Sequence, residues 1–118
     1  MYGCLKLTEA SRADLLAFIE AHGGVRHPHI TANHVTLWFK HKPEGFVAST
    51  GIIPMSVTGI AFNADIQAVR VSVHPDVTVQ NAIPHITVSH CGKPVLSGTA
   101  EYTTVIGPYL CGTYEEVN

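Results

Sequence analysis

Residues 33–40 read NHVTLWFK, and their alternation sets the expected fold. Val35, Leu37 and Phe39 fall on one face of an extended strand, and His34, Thr36 and Trp38 on the other. The stretch HITVSH at 85–90 has the same form, with Ile86 and Val88 against His85, Thr87 and Ser89. YGCLKL at 2–7 also alternates, placing Tyr2, Cys4 and Lys6 opposite Leu5 and Leu7. MSVTGIAFN (55–63) and IQAVRVSV (66–73) flank the turn-like Ala64-Asp65 and predict a hairpin. A last strand is expected around 99–106, with an irregular tail after Pro108. The Gly- and Pro-punctuated stretch HKPEGFVASTGIIP reads as a loop, with at most a brief extended piece at Phe46–Ala48, and residues 74–84 form another loop. One helix stands out, in SRADLLAFIEAHGG at 11–24. Ser11 and Asp14 suit a capping box, Leu15, Phe18, Ile19 and His22 share a stripe, and Gly23-Gly24 supply the stop. One helix and about six strands make an α+β domain.

A chain of 118 residues is one domain of ordinary size, able to bury a core without staples. With 46% hydrophobic and 14% charged residues it is expected to fold compactly. The net charge of −2 gives no basic field for duplex DNA, although the eight histidines gain positive charge below about pH 6.5 and suit a small anion. Cys4, Cys91 and Cys111 have no CxxC spacing, so they read as free thiols in a reducing compartment. No run approaches the roughly 18 apolar residues of a membrane span, and the amino terminus lacks a signal-peptide pattern. The expectation is a soluble cytoplasmic protein.

Three His-x-Thr triplets occur, at His29–Thr31, His34–Thr36 and His85–Thr87. Eight histidines and eleven threonines would give about 0.7 such triplets by chance, so three together carry information. Two residues apart is the spacing that turns both side chains to one face of a strand, about 6.5 to 7 Å apart. His34 and His85 each open an alternating apolar strand, whereas His29 follows Pro28 and its pattern breaks at Ala32-Asn33. The expected working pair is therefore 34–36 with 85–87, and His29 is read as a loop or strand-entry residue.

NHVTLWF and IPHITVS resemble the two signature motifs of the 2H phosphoesterases, including the proline before the second histidine. YGCLKLTEASRADLLAF is similar to the opening strand and helix of that family, and HITVSHCGKPVLS is similar to its phage and tRNA-ligase-like branches. The resemblance implies a compact bilobal fold of mainly antiparallel sheets around a central cleft, with His34, Thr36, His85 and Thr87 around one phosphate. It also implies a metal-independent phosphodiesterase with no cofactor. Implied substrates are RNA ends carrying a 2′,3′-cyclic phosphate, 2′,5′ linkages, or the cyclic oligonucleotide messengers of antiviral defence that phage members degrade (the anti-CBASS type). Only one helix is evident and the motif histidines lie 51 residues apart, from 34 to 85, so the second lobe is expected to be pared down.

Two histidines near neutral pKa can act as base and acid in one displacement, and two hydroxyls can donate to non-bridging oxygens. Trp38 is expected either to stack a base at the cleft edge or to cover the end of the sheet. Tyr2 either reaches the same cleft or packs, and Lys40, Lys42 and Lys93 either attract phosphate or are merely solvated. Two alternatives stand beside this reading: a non-catalytic nucleotide-binding sponge of the same fold, and a metal-binding protein using His27, His29 and His34.

Overall fold

A computed structural model describes all 118 residues. Eight strands and one α-helix follow in the order β1 (Tyr2–Leu7), α1 (Glu9–Ala21), β2 (His29–Ile30), β3 (His34–Phe39), β4 (Ile52–Phe62), β5 (Ile66–Val73), β6 (His85–His90), β7 (Thr103–Thr104) and β8 (Tyr109–Val117), with a 3₁₀ helix at Pro94–Thr99. The strands pair antiparallel in the order β2-β6-β5-β4-β8-β1-β3, with β7 attached to β4. The protein is an α+β domain built on one mostly antiparallel sheet.

The helix begins earlier than Ser11. Thr8 is its N-cap, its hydroxyl accepting from the Ser11 N–H at 3.1 Å. The Ser11 hydroxyl is buried and instead accepts from the Cys111 N–H at 2.7 Å, tying α1 to β8. Leu15 and Ile19 carry the helix into a core that also holds Leu5, Val35, Leu37, Val69, Ile86, Val88 and Leu110. The expected hairpin forms as β4–β5, longer than its alternation suggested. Asn63 closes its turn, the side-chain oxygen accepting from the N–H groups of Asp65 and Ile66.

Two expectations near the carboxyl end are corrected. The strand placed at 99–106 is reduced to Thr103–Thr104, because the residues before it wind into the 3₁₀ helix that packs Leu96 and Ala100 onto Ala61, Ile66 and Ala68. The segment after Pro108 is not irregular. It is β8, between β4 and β1 in the middle of the sheet, with Leu110 fully buried. Gly112 and the paired Glu115-Glu116 disguise its alternation. Gly112 is there because a β-carbon would lie 2.9 Å from the Lys6 carbonyl oxygen.

The two motif strands are built alike. In β3 the register on β1 runs Lys6 to His34, Leu5 to Val35 and Cys4 to Thr36, then skips Leu37 before Gly3 meets Trp38 and Tyr2 meets Phe39. In β6 the register on β5 runs Arg70 to His85, Val69 to Ile86 and Ala68 to Thr87, then skips Val88 before Gln67 meets Ser89. Each strand thus carries a β-bulge at the fourth residue of its motif, and each reverses its inward and outward faces there.

A buried leucine in a central strand loses transfer free energy and leaves a cavity when truncated, so Leu110→Ala is expected to cost about 2–5 kcal/mol. Denaturant unfolding would show this as a lower midpoint; a change under about 0.5 kcal/mol, the surface norm, would mean β8 is not a core strand.

Candidate functional site

One cleft of about 460 Å³ is lined by His34, Thr36, His85 and Thr87 together, joined by Tyr2, Thr31, Phe39, Asn81, Pro94, Val95 and Gly98. This volume falls in the range of small-molecule sites. The two histidines and two threonines lie on the same side of their strands, before the bulges, while Val35, Ile86 and Val88 on the opposite side are sealed in the core.

Each motif imidazole is fixed through Nδ1. In His85, Nδ1 lies 2.8 Å from the Ile83 carbonyl oxygen, which can only accept, so Nδ1 carries a hydrogen and Nε2 is left for other partners. In His34, Nδ1 donates to the Asn33 side-chain oxygen at 2.5 Å, with the same result. Burial lowers the His34 pKa from its ordinary value of 6.5, and the nearby His85 lowers it further. At neutral pH His34 is therefore an uncharged imidazole with a free Nε2 lone pair, the form a proton acceptor needs.

The threonines are held differently. The Thr87 hydroxyl lies 3.0 Å from the buried Ser97 hydroxyl on the 3₁₀ helix, whose carbonyl accepts from Tyr102 at 2.8 Å. The Thr87 carbonyl accepts from the Thr31 hydroxyl at 2.6 Å and from the Ala32 N–H at 2.9 Å. Thr36 stands over Cys4, whose thiol is pushed up to about 11, chiefly by burial and then by Glu115. That thiol stays protonated and inert near neutral pH.

Of the other sequence-predicted residues, Tyr2 lines the cleft, its ring centroid 5.4 Å from that of His34. Trp38 does not. The bulge at Leu37 turns it to the core side, where it is 1% exposed, lies against Gly3 and donates its indole N–H to the Tyr114 hydroxyl at 3.0 Å. Phe39 lines the cleft instead: the same bulge moves it from the core face and leaves it 59% exposed. Lys40 also misses the cleft. It adopts a left-handed backbone conformation (φ 66°), and its ammonium lies 5.7 Å from the Phe39 ring centre. Lys42 pairs with Glu116 at 2.8 Å.

The alternative metal set is not gathered. His27 lies against the Asn63 carbonyl and Cys91, His29 stacks on His90 with ring centres 5.1 Å apart, and His34 faces the cleft. No group of three or more His, Cys, Asp or Glu side chains is arranged to hold a metal ion. Alternation missed Phe39, Thr31, Asn81 and the wall formed by Pro94, Val95 and Gly98. Only the bulge would have revealed Phe39, and nothing local in the sequence announces it. No helix is long and apolar enough to cross a membrane. Searches against protein-family models, curated proteins and solved structures find no match to this chain.

Because the folded pKa of His34 is depressed, the folded protein binds fewer protons at this site than the unfolded chain. Its contribution to stability is present above the unfolded value of 6.5 and is lost as pH falls through the folded pKa. An NMR titration of the imidazole resonances is expected to show His34 titrating below 6.5, and His85→Ala is expected to raise that midpoint. A His34 midpoint at or above 6.5 would contradict the half-buried setting beside His85.

Proposed function

We propose that this protein is a metal-independent phosphodiesterase of the 2H type, acting on a small nucleotide. The substrate is a cyclic oligonucleotide messenger or an RNA-end 2′,3′-cyclic phosphate. The observation that carries this reading is the convergence of both His-x-Thr pairs on one cleft, each imidazole anchored at Nδ1 and free at Nε2. The matched registers of β1–β3 and β5–β6 support the bilobal, pseudo-symmetric plan that the motif resemblance implies.

In this reading a phosphodiester sits between the imidazoles. His34, kept neutral by burial, takes a proton from the attacking water as its oxygen bonds to phosphorus. His85, protonated at Nε2, gives that proton to the departing oxygen as its bond to phosphorus breaks. One proton is taken and one returned, so the pair is reset by exchange with solvent. Thr36 and Thr87 donate to the non-bridging oxygens as charge builds there. Thr87 can do so when Ser97 donates to it, which leaves the Thr87 hydrogen free for phosphate. Phe39 supplies an exposed aromatic face for a base at the mouth, and Val95 an apolar surface.

The test is a panel of cyclic dinucleotides, cyclic trinucleotides and cyclic-phosphate RNA with product analysis. His34→Ala and His85→Ala are each expected to reduce turnover by about 10²-fold or more, and Thr36→Ala and Thr87→Ala by less. Tight binding without turnover would make the domain a nucleotide sponge. Activity abolished by chelators but untouched by both histidine changes would sink the acid–base assignment. Base stacking is worth about 1–3 kcal/mol, so Phe39→Ala is expected to raise KM by about 5- to 150-fold. Trp38→Phe, by contrast, is expected to lower thermal stability with little change in KM; the reverse pattern would return Trp38 to the cleft.

A further inference from the structure

The cleft does not end at His34. On its far side the same face of the sheet carries a second depression of about 220 Å³, lined by Tyr2, Cys4, Lys6, Asn33, His34, Glu115 and Val117. Register explains why these residues meet. Tyr2, Cys4 and Lys6 alternate along one face of β1, and Val117 and Glu115 lie directly across from Tyr2 and Cys4 on β8. His34 lies across from Lys6 on β3. The tilted Tyr2 and His34 rings therefore form a ridge shared by both depressions.

The polar groups on the far side have spare capacity. Lys6 is held only by a loose 4.0 Å contact with Glu115, both side chains being about half exposed, so its ammonium can turn to another anion at little cost. Asn33 spends its side-chain oxygen on His34, which leaves its amide hydrogens to donate. The Glu115 carboxylate accepts from hydroxyls. The floor, Cys4, is buried and its thiol remains neutral, so Lys6 and Glu115 are the charged groups of the depression. At this size it lies below the usual range for a complete small-molecule site, which suits part of a ligand anchored elsewhere.

We infer that this depression is a second subsite, which takes the sugar and outlying phosphate of the next nucleotide unit when the scissile phosphate lies between His34 and His85. Lys6 and the Asn33 amide meet the phosphate oxygens, and Glu115 accepts from a sugar hydroxyl. The inference rests on the phosphodiesterase reading and narrows its substrate. The preferred substrate is a dinucleotide or larger unit with a second phosphate one nucleoside away from the bond cleaved, rather than a mononucleoside cyclic phosphate.

Three substrates separate the possibilities: a nucleoside 2′,3′-cyclic monophosphate, a linear dinucleotide, and the same dinucleotide with a phosphate on its second nucleoside. With the wild-type protein the added phosphate is expected to lower KM by about 10-fold, the equivalent of one charge-assisted contact. In Lys6→Ala that gain should disappear, while kcat/KM for the cyclic monophosphate stays within twofold of wild type. Lys6→Arg should restore the gain. If the added phosphate helps wild type and Lys6→Ala equally, or not at all while the cyclic monophosphate is turned over, the subsite is overturned and the phosphodiesterase reading survives. If none of the three substrates, nor a cyclic dinucleotide, is cleaved, the reading itself fails and the subsite with it.

Discussion

The cleft depends on a change of partner strand made within residues 31 to 34. The N–H groups of Thr31 and Ala32 still donate to β6, at the carbonyls of Val88 and Thr87, but the Asn33 carbonyl already accepts from Leu7 on β1. Ala32 makes the turn in a left-handed conformation (φ 52°) and is wholly buried. An alanine there carries a cost of about 1–2 kcal/mol relative to the right-handed region, which the surrounding hydrogen bonds and packing must offset. The next residues are Asn33, which orients His34, and His34 itself. The one segment thus sets where the first motif stands relative to the second, because it is bonded to both.

That crossing gives the third triplet its part. His29 lies outside the cleft, on β2 opposite His90, yet Thr31 of the same triplet lines the cleft and holds the Thr87 carbonyl through its hydroxyl. Despite their likeness, the stretches at 28–31 and 84–87 occupy different places: His29 and Ile30 lie antiparallel to His90 and Ser89, at the far end of β6 from His85. Only the second supplies an imidazole to the site. Residues 34–36 and 85–87 both line the cleft, and Thr31, the last residue of the third triplet, begins the segment that joins them.

Geometry also breaks the symmetry of the two motifs. The registers and bulges of β3 and β6 match, yet the first imidazole is held by a side chain and the second by a backbone carbonyl. The second threonine has a buried serine behind it, and the first has a thiol beneath it. Burial distinguishes the pair further by favouring the neutral form of His34. In the proposed displacement, that difference makes His34 the group that takes the proton.

What the sequence determined by itself is what period-two alternation and local caps can encode: the α+β class, the single helix, strands β1, β3 and β6, the hairpin, and which side of each motif strand carries its histidine and threonine up to the fourth residue. Alternation assumes an unbroken strand, so it could not foresee the bulges, and beyond Leu37 it assigned Trp38 and Phe39 to each other's faces. Nor could it find β8, where Gly112 fits against the Lys6 carbonyl and the adjacent Glu115 and Glu116 fall on opposite faces, across from Cys4 and Gly3 of β1. The cleft walls from residues 81 and 94–98, the ridge at Tyr2 and His34, and the depression beyond it exist only once distant strands are in register. They were decided by tertiary structure because each is a contact between segments far apart along the chain, and a hydrophobic pattern records which face is buried but not what it is buried against.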